Sequence, residues 1–270
     1  RYCRLHHNNN DCFHNLDSNR VADFRMNNLV TTRPTKEGVL HITLSDPDKR
    51  NALGIAMFDA IDEAITSYDS SINCVLLSGD GPAFCGGFDM KACAEDITVI
   101  STYIKRLSTL IRSLRRLPVP VVVAAHGAAI AGGCAVLTGC DLIVGSPEGK
   151  YGYPVHQLGI SPAVTIPTLN QRLGYGRARS LLLSGESLNG TDAYSIGLLT
   201  HLCDEDVQKT AESIATSIAK KPPHAVRVTK QWLNELDGSL NDSLFDPPAE
   251  GSATAISEET RALLQAIWDK

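Results

Sequence analysis

The sequence predicts an α/β fold in which buried strands lead into helices through glycine-rich turns. Residues 118–146, PVPVVVAAHGAAIAGGCAVLTGCDLIVGS, begin with an apolar run whose β-branched residues fill a pleated sheet well. The double glycine at 132–133 follows, then a helix of small residues and a second apolar strand at 142–144. A similar arrangement occurs earlier, where the apolar strand 74–77 precedes the double glycine at 86–87.

Hydrophobic periodicity and breaker residues predict the other elements. Val39 to Leu44 alternates in the manner of a half-buried strand. Apolar residues at helical spacing predict amphipathic helices at 57–68 and 103–117. Glycine and proline residues mark the limits of four further predicted helices, at 172–184, 190–199, 224–236 and 257–268.

Length and composition exclude several classes of protein. A chain of 270 residues suits one globular protein of one or two domains, and its net charge of −5 argues against general nucleic-acid binding. No uninterrupted apolar run is long enough to span a membrane. The eight cysteines are scattered and form no CxxC pair. We therefore expect reduced thiols and an intracellular protein, cytoplasmic or in an organellar matrix, that is not secreted.

The two glycine turns also suggest a binding function. Glycine lets the backbone approach a ligand closely, and the free N–H groups at a helix start point toward negative charge. Two such N–H groups, one from each turn, can hold a single oxygen as an oxyanion hole, which suits the enolate of a thioester. The alternative is that the glycines only allow tight packing of strand against helix.

Together the turns resemble those of the crotonase superfamily, the enoyl-CoA hydratase/isomerase family. AFCGGFDMK at 83–91 is similar to the family's AFxAGxDxK motif, and residues 118–146 are similar to PVPVIAAVxGxAxGGGxxLxxxCDxxxA. Further similar segments lie at 45–54, 158–162 and 181–202. The resemblance covers about residues 37 to 235 and places several independent motifs in the family's order.

The resemblance implies a crotonase spiral of ββα units, expected at 34–222, followed by a helical region at 223–270. In the family this helical region forms trimer contacts and covers the acyl-CoA site, so we expect a homotrimer or a dimer of trimers. The family's usual ending resembles EGxxAFxEKR, whereas this chain ends LLQAIWDK. The resemblance therefore does not predict the details of the segment that covers the acyl-CoA site.

Residues 1–33 match no part of the family and are interpreted as a mobile N-terminal extension. Their basic residues resemble an organelle-targeting peptide, but acidic residues among them weaken that interpretation. The segment also holds zinc-ligand residue types in a spacing that fits no common zinc motif, so we expect no metal site. These residues are Cys3, His6, His7, Cys12 and His14.

By resemblance, the backbone N–H groups of Phe88 and Gly132 form the oxyanion hole. The loop containing Lys49, Arg50 and Ala52 is expected to bind the nucleotide of coenzyme A, because cations suit its phosphates. The alternative for this loop is a solvated turn. The segment YGYPVHQLGISP at 151–162 should line the acyl pocket, and no cofactor is expected apart from the coenzyme A of the thioester ligand. The remaining expected substrate contacts are Gly87, Asp89, Met90, Gly133, Tyr153 and Val155.

The family's acid–base positions carry unsuitable residues. Its hydratases use two glutamates, and alignment of the motifs puts Ala135 and Val155 at these positions. A third carboxylate position, used by some isomerases and a dehalogenase of the family, is occupied by Ala163. None of these three side chains can transfer a proton.

Few other side chains could replace the glutamates. His156 is the candidate acid or base, since imidazole titrates near neutral pH, with a histidine bonded within the protein as the alternative. Tyr151 and Tyr153 are interpreted as pocket wall, and Asp89 as a helix cap. Cys85 could act as a nucleophile only if its pKa were lowered.

Three functions remain open at this point. The first is an enzyme of the family with a non-standard acid–base group. The second is a decarboxylase of malonyl-type thioesters, which needs little beyond the oxyanion hole. The third is an acyl-CoA-binding protein without catalysis. RNA binding by the basic helix at 103–117 ranks below these, because basic helix faces are usually solvated and the net charge is negative.

Overall fold

The computed structural model describes residues 24–268 as a mixed α/β protein built on two sheets. Its strands are β1 Phe24–Met26, β2 Val30–Pro34, β3 Val39–Leu44, β4 Cys74–Gly79, β5 Val121–Ala125, β6 Ala128–Ile130, β7 Leu142–Gly145, β8 Lys150–Gly152, β9 Ser187–Asn189 and β10 His201–Leu202. The larger sheet has the order β1-β2-β3-β4-β5-β7-β10, and β6, β8 and β9 form the smaller one. The larger sheet is antiparallel from β1 to β3 and parallel from β3 onward.

The helices alternate with the strands through the first two thirds of the chain and then follow one another. They are α1 Ile55–Thr66, α2 Met90–Glu95, α3 Thr98–Arg116, α4 Gly132–Gly139, α5 Ile166–Ser184, α6 Gly190–Ser195, α7 Val207–Ala219, α8 Pro223–Leu236, α9 Asp246–Thr254 and α10 Glu258–Trp268. Within the described part of the chain, no helix is long and apolar enough to cross a membrane. The predicted α/β class is thus confirmed, and the strand predicted at Val39 to Leu44 has the bounds observed for β3.

Both faces of the parallel sheet are covered, which explains why its strands are uninterrupted apolar runs. All five residues of β5 are buried. One face packs against α1 and α3 in the main core, and the other packs against α7. Small side chains on α7, at Ala211, Ala215 and Ala219, allow this helix to lie close to the sheet. Each fully buried valine or leucine of these strands contributes about 1.5–3 kcal/mol to folding.

Part of the segment predicted as an N-terminal extension, residues 1–33, belongs to the larger sheet. β1 and β2 pair with each other and β2 pairs with β3, so the chain joins the sheet from Phe24 onward. The sequence VTTRP of β2 has no apolar run, and its strand conformation depends on antiparallel pairing with β3. The cysteines and histidines considered as zinc ligands lie outside the described residues.

The basic residues of α3 serve the fold. Four of its five basic side chains lie 2.7–3.1 Å from carboxylates of α1, α9 and the segment before α9. The pairs are Lys105 with Glu250, Arg106 with Asp59 and Asp62, Arg112 with Asp242 and Asp246, and Arg116 with Asp242. These contacts tie the helix to its neighbours.

A buried ion pair attaches the C-terminal helices to the spiral. Lys230 of α8, 5% exposed, donates to Asp141 Oδ2 at 2.7 Å and to the carbonyl of Val119 at 2.9 Å. The same Asp141 oxygen accepts from the Val121 N–H at 2.7 Å. Asp141 therefore holds β5, the start of β7 and α8 together.

Candidate active site

The two glycine turns pack directly against each other. A methyl group on Gly133 would overlap the carbonyl oxygen of Cys85 and lie 2.9 Å from its Cβ. At Gly87, with φ of +100°, a methyl group would lie 3.1 Å from the Ile130 oxygen and 3.6 Å from the Gly132 nitrogen. Glycine is therefore required at both positions, and the close approach brings the Phe88 and Gly132 backbones together.

Both expected oxyanion donors are free. Gly132 is the first residue of α4, so its N–H has no acceptor within the helix. Phe88 forms a parallel bridge with Leu53, in which Leu53 donates to the Gly87 oxygen at 2.7 Å and accepts from the Asp89 N–H at 3.2 Å. Because successive N–H groups of an extended chain point to opposite sides, the Phe88 N–H points away from Leu53. Among the described residues, neither N–H has a hydrogen-bond acceptor.

Phe88 and Gly132 open onto an apolar cavity of about 220 Å³. Its walls come from the two turns, from α3 through Ile104 and Leu107, and from the segment 153–165. None of the described residues that line it is Asp, Glu, Lys, Arg or His. The cavity therefore suits an uncharged, apolar group attached to an oxygen held at the turns.

The positions aligned with the family's glutamates lie in this wall. Ala135, 2% exposed, and Val155, 8% exposed, both line the cavity. Ala163 lies between two lining residues, Pro162 and Val164, and is half-buried. Both Ala135 and Val155 therefore present apolar side chains to the cavity.

Hydroxyl-bearing residues lie in the wall and behind it, but they are neutral. The Tyr153 hydroxyl lies 3.2 Å from that of Thr165, which lies 3.4 Å from that of Thr138, and Thr138 and Thr168 are 2.6 Å apart. Burial raises the pKa of Tyr153 well above its ordinary value of 10, so it carries no charge near neutral pH. The expectation that Tyr153 is part of the wall agrees with its place among the lining residues.

His156 is not brought to the cavity. It begins a short 3-10 turn at His156–Leu158 and is exposed, and a methyl group on Gly185 would lie 3.4 Å from its Nδ1 atom. Its neighbour Val155 lines the cavity instead. The sequence interpretation of His156 as an acid or base is corrected here, because the turn directs adjacent side chains to different sides.

Cys85 is also unsuited to chemistry. Its thiol is completely buried and donates to the Asn51 carbonyl at 3.2 Å. Burial raises the pKa of Cys85 to about 12, so the thiolate that a nucleophile requires does not form at neutral pH.

Charged residues gather at the outer edge of the turns. Lys49 Nζ lies 3.1 Å from Asp89 Oδ2, and the other Asp89 oxygen caps α2 by accepting from the Ala92 N–H at 3.3 Å. Partial burial opposes ionisation of Asp89, but the hydrogen bonds from Lys49 and Ala92 outweigh it and lower the Asp89 pKa. The Arg50 side chain lies against Gly86, which lines the cavity.

The other expected contacts fall near the cavity as well. Met90, Tyr153 and Val155 line it, and Ala52 is half-buried in the loop between Arg50 and Leu53. Sequence reasoning missed Ile104 and Leu107, whose periodicity showed a buried face of α3 without showing what that face covers. It also missed Ala131, which lines the cavity at φ +53° and ψ −115°, a conformation that costs a non-glycine residue about 1–3 kcal/mol.

Comparison with known proteins agrees with this fold. Residues 34–241 match the family model described as enoyl-CoA hydratase/isomerase. A Mycobacterium bovis relative named "Probable enoyl-CoA hydratase echA6" is 32% identical over 231 residues, which are 83% of this chain and 91% of that protein. The short-chain-enoyl-CoA hydratase of Clostridium acetobutylicum is 29% identical over 250 residues, or 90% of this chain and 95% of its own length.

Solved structures give the same result. The crystal structure of an enoyl-CoA hydratase/isomerase from Xanthobacter autotrophicus superimposes with a TM-score of 0.81 at 25% identity, covering 90% of this chain and 93% of that one. The chain belongs to the enoyl-CoA hydratase/isomerase family, and its predicted crotonase fold is confirmed.

Proposed function

We propose that this chain binds an uncharged acyl-CoA thioester and polarises its carbonyl group without the family's usual acid–base residues. One observation carries the proposal: two free backbone N–H groups, of Phe88 and Gly132, face a cavity whose described lining residues include no Asp, Glu, Lys, Arg or His. The first feature holds an oxyanion, and the second gives no partner for a charge and no group for proton transfer.

The backbone alone can stabilise an enolate. A thioester oxygen that accepts from the Phe88 and Gly132 N–H groups gains negative charge when an enolate forms, and preorganised donors favour that charge. Hydration further requires a group within about 3 Å that deprotonates water and one that delivers a proton to the α-carbon. Ala135 and Val155 provide neither, so the site supports binding and carbonyl polarisation more strongly than hydration.

Decarboxylation of a malonyl-type thioester is the second candidate, because carbon dioxide leaves with no need for a protein base. The electrons of the broken C–C bond enter the enolate, which the oxyanion hole stabilises. However, an unpaired carboxylate is costly to bury, and the described wall offers it no cation. We therefore place this candidate behind binding of uncharged acyl groups.

Ligand stabilisation distinguishes these candidates. Because a ligand selective for the native state stabilises it, saturating butyryl-CoA at about 100 times its Kd should raise the free energy of unfolding by about 2.7 kcal/mol. Thermal unfolding should be followed with butyryl-CoA, malonyl-CoA and free coenzyme A at equal concentrations. We expect the greatest stabilisation by butyryl-CoA. Equal stabilisation by malonyl-CoA would favour the decarboxylase, and no stabilisation by any of the three would contradict the proposal.

We also propose that the chain assembles as a trimer or a dimer of trimers. The supporting observation is an apolar surface on α8, where Trp232, Leu233 and Leu236 are 58%, 61% and 81% exposed. Light scattering at micromolar concentration tests this, and a monomer would contradict it.

The six free cysteines among the described residues support the proposal of an intracellular compartment.

A further inference from the structure

The loop before α1 contains a buried polar side chain that lies outside the cavity. Asn51 is 0% exposed, at φ +54°, and follows Arg50 at φ +52°. Two consecutive left-handed residues are unfavourable for L-amino acids, although Asn tolerates this conformation better than most. Such a loop conformation persists only where surrounding contacts fix it.

The Asn51 amide provides those contacts. Its Oδ1 accepts from the Asp46 N–H at 2.9 Å, which closes the loop. Its Nδ2 has three carbonyl acceptors, from Asp80 at 3.0 Å, Ala83 at 3.0 Å and Phe84 at 3.1 Å. Since the amide has only two N–H groups, the three carbonyls share them. One side chain therefore fixes both its own loop and the turn at 80–84.

Space for this amide is made by a glycine at the end of β4. A methyl group on Gly79 would lie 2.7 Å from Asn51 Nδ2 and 2.6 Å from the Phe84 oxygen. The Asn51 carbonyl also accepts from the Cys85 thiol at 3.2 Å. Both polar groups of the Asn51 side chain are thus satisfied, Oδ1 by its own loop and Nδ2 by the turn that leads to the oxyanion hole.

The connection continues from this amide to the oxyanion donor. On the two sides of Asn51 in the chain, the Arg50 oxygen accepts from the Gly86 N–H at 2.8 Å, and Leu53 forms the parallel bridge with Phe88. This short parallel pairing sets the direction of the Phe88 N–H. The loop at 46–53 and the turn at 80–88 consequently behave as one unit with Asn51 at its centre.

We infer that Asn51 is a positioning residue for the oxyanion hole, holding the turn so that the Phe88 N–H reaches the thioester oxygen. This inference rests on the proposed function, since it assigns Asn51 to the binding of the thioester carbonyl. Asn51 itself touches neither the cavity nor the ligand oxygen. Its loss should therefore weaken carbonyl polarisation more than it weakens binding of the coenzyme A portion.

The test measures the carbonyl directly. Butyryl-CoA labelled with ¹³C at the thioester carbonyl is bound to the full chain, and the stretching frequency is read by infrared difference spectroscopy. Hydrogen bonds to the carbonyl lower this frequency. In Asn51→Asp, a carboxyl group has at most one donor and faces three carbonyl oxygens. We expect more than half of the downshift to be lost and the affinity for butyryl-CoA relative to free coenzyme A to fall about tenfold.

Asn234→Asp is the matched control. Asn234 on α8 is 5% exposed and its amide donates to the Arg115 oxygen at 2.9 Å, so the substitution also removes a buried amide donor, but away from the turns. It should lower stability while keeping the full carbonyl downshift. If Asn51→Asp does not unfold cooperatively, Asn51→Ser, which is smaller and uncharged, is used in its place.

The outcomes separate the inference from the proposed function. A full downshift in the Asn51 variant, or the same loss in the Asn234 control, overturns the positioning role and leaves the proposed function intact. Absence of both binding and downshift in the unaltered protein overturns the proposed function, and the role of Asn51 falls with it. Loss of the carbonyl downshift in the Asn51 variant alone supports both the positioning role of Asn51 and the proposed function.

Discussion

The two halves of the cavity differ in what the chain supplies. The backbone half, around Phe88 and Gly132, is built from glycines that leave no room for a side chain or have positive φ, and from N–H groups that have no acceptor among the described residues. The side-chain half, around Ala135 and Val155, is apolar and has no charged residue among its described lining. Stabilisation of an oxyanion by backbone N–H groups depends on main-chain geometry, whereas proton transfer depends on single side chains and is lost when they change.

The largest expected effect comes from a substitution that forces the two glycine turns apart. Gly133→Ala places a methyl group onto the Cys85 carbonyl, so the two turns must separate. We expect a loss of about 1–3 kcal/mol in the free energy of unfolding, together with loss of butyryl-CoA binding. Urea unfolding and calorimetric titration measure these. The control is Gly251→Ala in α9, where no atom lies within 4 Å of the added methyl group. That variant should bind normally and be as stable as the unaltered chain or more so.

The side-chain half can be altered without disturbing the backbone. Val155→Arg adds a cation to the cavity wall at a position that retains 8% exposure, from which a long side chain can reach solvent. We expect the preference for butyryl-CoA over malonyl-CoA to fall about tenfold, because the malonyl carboxylate gains a partner. His156→Arg adds the same charge at the adjacent exposed position and should leave the preference unchanged. Equal effects of the two variants would contradict the described orientation of this segment.

The smallest expected effect is on the pH dependence of the free energy of unfolding. Since hydrogen bonds hold the pKa of Asp89 below its usual value of 3.8, this carboxylate stabilises the fold above that pH and loses its contribution as pH falls through the lowered pKa. Asp89→Asn keeps an oxygen to cap α2 but removes the charge. The variant should therefore lose slightly less stability than the unaltered chain between pH 5 and about pH 2, as measured by urea unfolding. A steeper loss in the variant would contradict the assignment.

Much of the backbone half could be predicted from the sequence, and less of the side-chain half. Local signals identified β3, the glycine turns and the cap at Asp89, because strand alternation, glycine and capping depend on neighbouring residues. Comparison with the family's motifs placed Ala135 and Val155. The orientation of His156 depends on a turn whose direction is set by tertiary packing, so the sequence could not provide it.

Contacts across long sequence separations account for the other omissions. Asn51 bonds to carbonyl groups 29 to 33 residues away, and nothing in its immediate neighbours indicates this. β2 is a strand because β3 lies beside it, since its own residues are largely polar. Ile104 and Leu107 belong visibly to a buried helix face, but only the fold shows that this face borders the cavity.

The most direct test of the account follows hydration of crotonyl-CoA by the unaltered protein, through loss of the enoyl-thioester absorbance, beside a binding measurement on the same sample. Each general acid or base contributes about 10²–10⁴-fold, so the absence of two should reduce turnover by several orders of magnitude. We expect saturable binding with turnover far below 1 per second. Turnover in the ordinary range of about 1–10³ per second would contradict it, because a proton-transferring group must then reach the cavity.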